Sequence, residues 1–195
     1  MTATPIKEIE SFYPAGKLQW RKWLQKNHEK KQSVWLIFHK MKTGLRTLSW
    51  SEAVDEALCF GWIDSKAMPV DEDRYMQFFS KRKPKGTWSK INKETIQKLI
   101  EGGKMSQAGL DSIEMAKQNG SWTILDDVEE LLIPKDLEKA FKAHKGSKQF
   151  YFSLSRSVRK HMLQWLVLAR RPETRQKRIL ALVESLAQKQ KPKQF

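Results

Sequence analysis

Cysteine is almost absent from this 195-residue chain. Cys59 stands alone, so no internal disulfide can form, and no CxxC pair or Cys/His cluster is present to hold zinc. His28, His39, His144 and His161 show no HExxH or other ligand spacing, so no metal site is expected. The nine glycines are scattered, with no GxGxxG and no P-loop, and no cofactor is expected. No apolar run approaches the ~20 residues that a membrane span needs. The first residues, Met-Thr-Ala-Thr-Pro-Ile-Lys-Glu, lack the apolar stretch of a signal peptide. These absences leave a cytoplasmic location as the expectation.

What is present argues for folding. Eight Trp, nine Phe and three Tyr are too many for a disordered chain. The length suits one sizeable core, or a core with a small appended module. Charge is the uneven property. Residues 1–134 hold 21 Lys/Arg against 18 Asp/Glu, while residues 135–195 hold 16 against 4, a net of +12. Such asymmetry points to a polyanionic partner for the C-terminal third, nucleic acid or an anionic membrane surface; the plainer reading is a surface that keeps the protein soluble.

After an extended start, a helix is expected over Lys17–His28, with Leu18, Trp20, Trp23 and Leu24 at helical spacing. Ser33–His39 reads as a strand apolar on both faces and hence covered on both. Ser49 and Glu52 form a capping box for a helix that stops at Gly61. Trp62–Met68 and Arg74–Arg82 read as a hairpin around the acidic turn Asp71-Glu72-Asp73. From Ser89 onward the pattern is helical, with Pro134 opening a short helix, Ser155 capping another, Pro172 opening the last, and a frayed tail from Lys189. The fold class is therefore α+β: mostly helical, with a small antiparallel sheet of about three strands. The expected division is an α+β core over 1–131 and a basic helical module over 132–195.

Three groups of residues could carry function. In the C-terminal helices Arg156, Arg159 and Lys160 lie off the apolar face, and Arg171, Arg175 and Arg178 repeat at i, i+4 and i+7. That spacing lines three guanidinium forks along one ridge, a geometry suited to phosphate, although long basic side chains on a solvated face are ordinary. The second group is a Trp-lined cleft of Trp50, Trp62, Asp64, Arg74, Arg82 and Trp88. Period-two alternation puts Asp64 on one sheet face with Arg74 and Arg82, either as an ion-pair network or as anchors for an anionic small molecule. Third is Cys59, which sits among Leu58, Phe60 and Trp62 and is expected to be buried and inert rather than a nucleophile.

The stretch from Leu48 to Ser65, Leu-Ser-Trp-Ser-Glu-Ala-Val-Asp-Glu-Ala-Leu-Cys-Phe-Gly-Trp-Ile-Asp-Ser, resembles the signature of the bacterial YdeI/OmpD-associated family. Phe79–Asn92, Lys104–Gly109, Ser153–Lys160 and Glu173–Ile179 agree with it, so the resemblance covers most of the chain. It implies a cytosolic bacterial protein whose C-terminal module, about 132–190, carries the label "bacteriocin-protection". No reaction and no catalytic residue set come with it. The leading expectation is thus a binding or stress-related protein, leaning away from an enzyme, whose basic C-terminal helices engage nucleic acid or another polyanion. The alternative is an enzyme or small-ligand-binding protein using the cleft near Asp64 and Arg82. A protein partner met through exposed Trp side chains is the third.

Overall fold

The computed structural model describes residues 9–45, 47–192 and 195; the extended start up to residue 8 and positions 193 and 194 of the tail lie outside the described residues. The chain is α+β, and it divides into two compact units, Met1–Gly86 with Ile91–Trp122, and Thr87–Lys90 with Thr123–Phe195.

In the first unit β1 (Ser11–Phe12), β2 (Ser33–His39), β3 (Trp62–Pro69) and β4 (Arg74–Lys81) form one sheet in the order β1-β2-β4-β3. β1 pairs parallel to β2, and the other pairs are antiparallel. The fourth strand, beyond the three expected, is the two-residue β1, too short to leave a period in the sequence.

One face of this sheet carries α1 (Lys17–Asn27) and α2 (Trp50–Cys59). Val34, Leu36, Phe38 and Phe79 are buried there beneath Trp20, Trp23 and Leu24. Trp20 locks the layer: its indole N–H donates to the Ala53 carbonyl at 3.0 Å, and its ring meets Phe79 at 5.4 Å. Leu18, expected on the same stripe, is 76% exposed, because two residues advance a helix by more than half a turn from Trp20. The capping box at Ser49 and Glu52 forms as expected.

The other face of β2 corrects the sequence-based expectation. Trp35, Ile37 and His39 are half-buried rather than covered, alternating with the buried Val34, Leu36 and Phe38. Across β2 and β4 the cross-strand pairs on this open face are Ser33–Ser80, Trp35–Phe78, Ile37–Met76 and His39–Arg74. A strand apolar on both sides therefore has only one side in the core.

A bulge decides the faces of β3. Met68 pairs with Met76, but Asp64 pairs with Phe79, so one extra residue is taken up at Ser65–Lys66. Without it Asp64 would lie opposite Ser80, on the face of Arg74; with it, Asp64 moves to the helix-covered face.

α3 (Lys90–Glu101) and α4 (Gln107–Gln118) follow. Gly109 of α4 lies against the end of α2: a Cβ there would stand 2.3 Å from the Cys59 carbonyl oxygen, a contact only glycine avoids.

The second unit packs α5 (Asp126–Glu129), α6 (Lys135–Ala143), α7 (Ser147–Ser153), α8 (Arg156–Val167) and α9 (Pro172–Ala187). Their core includes Leu125, Val128, Leu137, Phe141, Leu163, Leu166, Leu182 and Leu186. The charge change at Leu132–Lys135 falls within this unit, because Leu125 and Val128 before it share the core with Leu137 and Phe141 after it. In the tail expected to fray from Lys189, one described residue, Phe195, is held. The Phe195 ring packs edge-on against Trp165 with centroids 5.5 Å apart.

Candidate functional site

The basic residues of the second unit fall into two sets, those bonded within the fold and those that face solvent. Arg175 belongs to the first. Its Nε and Nη2 donate to the two carboxylate oxygens of Asp136 at 2.6 and 2.9 Å, and its Nη1 donates to the Leu166 carbonyl at 3.0 Å. Arg178 donates to the Trp165 carbonyl and lies over the Trp165 ring, 4.9 Å from its centroid. These carbonyls belong to the last turn of α8, where backbone donors run short; the Leu166 carbonyl also takes the Ala169 N–H at 3.2 Å, and two guanidinium groups of α9 complete the cap of α8. The hydrogen bond and charge of Arg175 hold the Asp136 carboxyl below the ordinary carboxylate range.

The first turn of α8 is tied down in a similar way. Arg156 donates to the Glu129 carbonyl at 2.7 Å, and Lys160 pairs with the Glu129 carboxylate at 2.6 Å. Burial opposes ionisation of Glu129, but Lys160 and the Lys90 backbone N–H outweigh it and lower its pKa. Arg159 lies over the Phe152 ring at 5.8 Å. Of these six cations, Arg171 alone has no side-chain partner among the described residues; it is exposed at the N-cap of α9.

Sequence reasoning misses a second ridge, on α6. Lys135, Lys139 and Lys142 are all exposed, at the same i, i+4, i+7 spacing as the arginines, with no acidic partner among the described residues. Leu137 and Phe141 face the core, which turns the lysines outward. Lys145 is exposed just beyond the helix, and Arg170 and Lys177 are exposed elsewhere in the unit. A signal for the ridge does exist: the lysine spacing is visible in the sequence, and the apolar pair Leu137–Phe141 assigns its orientation.

In the first unit the expected cleft is only partly assembled. Asp64 Oδ2 accepts from the Trp50 indole N–H at 2.9 Å and from Gln77 Nε2 at 2.8 Å. Gln77 is buried and Trp50 is 51% exposed, so an inner amide and a carboxylate hold an outward-facing ring. Arg74 does not join them, because the bulge turns Asp64 to the covered face while Arg74 stays on the open one, where its Nε donates to Asp71 at 2.7 Å. Burial pushes the Arg82 pKa down to about 10, with the charge of Asp64 opposing the shift. Trp62 is a core residue, meeting Trp23 edge to face at 5.8 Å. Trp88 is buried and belongs to the second unit.

Cys59 is buried, and burial pushes its thiol pKa up against the hydrogen bond from Arg21, so no thiolate is prepared for attack. Beside it the buried Glu56 is paired with Arg21 at 2.6 Å and with Lys17 at 3.6 Å. Arg21 also donates to the Lys104 carbonyl at 2.8 Å, a polar cluster turned to holding the fold. Among the described residues no helix is long and apolar enough to cross a membrane, and no group of three or more His, Cys, Asp or Glu is placed to hold a metal ion.

Comparison with known proteins gives two family matches, one largely in each unit. Residues 12–112, just over half of the chain, match the model of a domain of unknown function (DUF8412). Residues 130–189 match the model described as "Bacteriocin-protection, YdeI or OmpD-Associated", which covers α6 to α9. No curated protein and no solved structure matches the chain significantly. The chain belongs to the DUF8412 family and carries a bacteriocin-protection, YdeI- or OmpD-associated domain at its C-terminal end.

Proposed function

We propose that this is a cytoplasmic binding protein that engages a polyanion, nucleic acid among the candidates, through the exposed cations of its C-terminal unit. The observation that carries the proposal is the outward ridge of Lys135, Lys139 and Lys142 on α6, in a segment of net charge +12. Lysine ammonium groups act as hydrated point charges on flexible stems, which suits phosphate or sulfate contact without geometric selection. Binding is then driven by counterion release and is indifferent to sequence.

The experiment is a titration of the full chain against a labelled DNA duplex and against labelled heparin, at several salt concentrations. Three lysine contacts predict a log–log salt slope of about −2.7 on duplex DNA, a fall of about 40-fold in affinity between 50 and 200 mM salt. Recruitment of Lys145, Arg170, Arg171 or Lys177 steepens the slope. No binding at 50 mM, or binding without salt dependence, removes the proposal and directs attention to the exposed Trp50 ring held by Asp64.

A further inference from the structure

The open face of the four-stranded sheet has no role in the polyanion proposal. It lies in the other unit and offers a contact, stacking, that phosphate charge does not supply. At its centre Trp35 and Phe78 are cross-strand neighbours on β2 and β4, with ring centroids 4.9 Å apart and planes at 66°. Both are half-buried. The next pair along the strands, Ile37 and Met76, extends the apolar floor. Lys66, exposed on the bulge of β3, holds its ammonium 5.4 Å from the Trp35 centroid and 5.9 Å from that of Phe78.

The bulge thus has two effects. It turns Asp64 to the covered face and places a cation over the aromatic pair. None of the cross-strand pairs on the open face includes an Asp or Glu, and the face ends in His39 and Arg74. The acidic turn nearby is partly offset: Asp71 pairs with Arg74, and the one ammonium of Lys42 lies 3.5 Å from both Glu72 and Asp73.

We infer that this face is a stacking platform for single-stranded nucleic acid. Bases lie on Trp35 and Phe78, and Lys66 moves from the rings to an adjacent phosphate. Charge complementarity selects this occupant. A second copy of the chain on the same face would bring the Lys66 charges together, with no acid among the cross-strand pairs of the face to meet them. An apolar protein segment would take water from the Lys66 ammonium and give nothing back. A single strand supplies what the face lacks, flat rings for the aromatics and anions for the cation, and base–aromatic stacking tolerates any sequence.

The test is an anisotropy titration of the full chain with a labelled oligo(dT) and with a hairpin duplex of equal phosphate number, at 300 mM salt. The wild-type chain binds the single strand more tightly than the duplex. Trp35→Ala weakens single-strand binding roughly 5- to 150-fold and leaves duplex binding unchanged, whereas Trp35→Phe retains the preference. Lys66→Glu, at an exposed position, lowers single-strand affinity without loss of folding and decides the matter if Trp35→Ala does not fold. Equal binding of strand and duplex overturns the platform, as does an unchanged affinity in Lys66→Glu or a dimer formed through this face. Duplex binding without single-strand preference defeats the platform alone; single-strand preference at 300 mM salt, with no duplex binding in a parallel titration at 50 mM, defeats the C-terminal proposal alone.

Discussion

Two basic ridges in the C-terminal unit share one spacing and differ in everything else. Arg171, Arg175 and Arg178 begin α9, and Lys135, Lys139 and Lys142 line α6, each set at i, i+4 and i+7. Two of the arginines are committed to the fold. Arg175 spans Asp136 of α6 and the Leu166 carbonyl of α8, and Arg178 covers the end of α8 at Trp165. The lysines touch no acid among the described residues and face solvent. The chemistry of the side chains explains the division. A planar guanidinium with five donors can serve a carboxylate and a carbonyl together, so it is the cation a fold can use at a junction of three helices. A strongly hydrated ammonium gains little from such a junction and is left for a partner. Spacing alone does not say which cations a fold consumes; available acceptors do.

The comparison extends to the first unit, where it predicts the largest loss of stability. Arg21→Ala strips the nearest cation from the buried Glu56, and Lys17 at 3.6 Å is a weaker substitute. A cost of about 3–5 kcal/mol is expected, read as a lowered urea midpoint, because the carboxylate is left buried and poorly paired. Arg175→Ala follows at about 1–2 kcal/mol, since its partners are partly exposed and screened. Arg178→Ala costs about 1 kcal/mol from the lost ring contact and carbonyl bond. Arg171→Ala, and each of Lys135, Lys139 and Lys142→Ala, stays within about 0.5 kcal/mol. A lysine variant that unfolds the protein would break the comparison.

Acid sharpens it further. The folded-state pKa of Asp136 lies below the unfolded value of about 3.9, so its contribution is full above that pH and is lost as pH falls through the folded pKa. Asp136→Asn is therefore less stable than the wild-type chain at neutral pH. The two stability curves converge below the depressed pKa, and parallel curves down to low pH would remove the Arg175–Asp136 bond from the account.

Much of the framework is legible in the amino-acid sequence. Ser33–His39, the Ser49 capping box, the Gly61 stop and Pro172 each mark an element where it stands, because those signals are local. What escapes depends on partners distant along the chain. The face of Asp64 turns on a bulge that the alternation of β3 does not announce. The open side of β2 looks like a core side, since Trp35 and Ile37 are as apolar as Leu36 and Phe38. The Arg175–Asp136 pair joins residues on different helices, and neither position hints at the other. The α6 lysines, by contrast, are readable by the same spacing rule that marks the arginines.

The division of cations between fold and partner is tested most directly by comparing the salt slope of duplex DNA binding in two variants. One is the triple change Lys135→Ala, Lys139→Ala, Lys142→Ala, and the other is Arg175→Ala, each measured well below its unfolding midpoint. The account predicts that the lysine variant keeps the wild-type melting temperature and loses about 2.7 from the magnitude of the log–log slope. Arg175→Ala should melt earlier and keep the wild-type slope. A slope that collapses in Arg175→Ala and persists in the lysine variant would contradict the account and return the phosphate contacts to the arginine ridge.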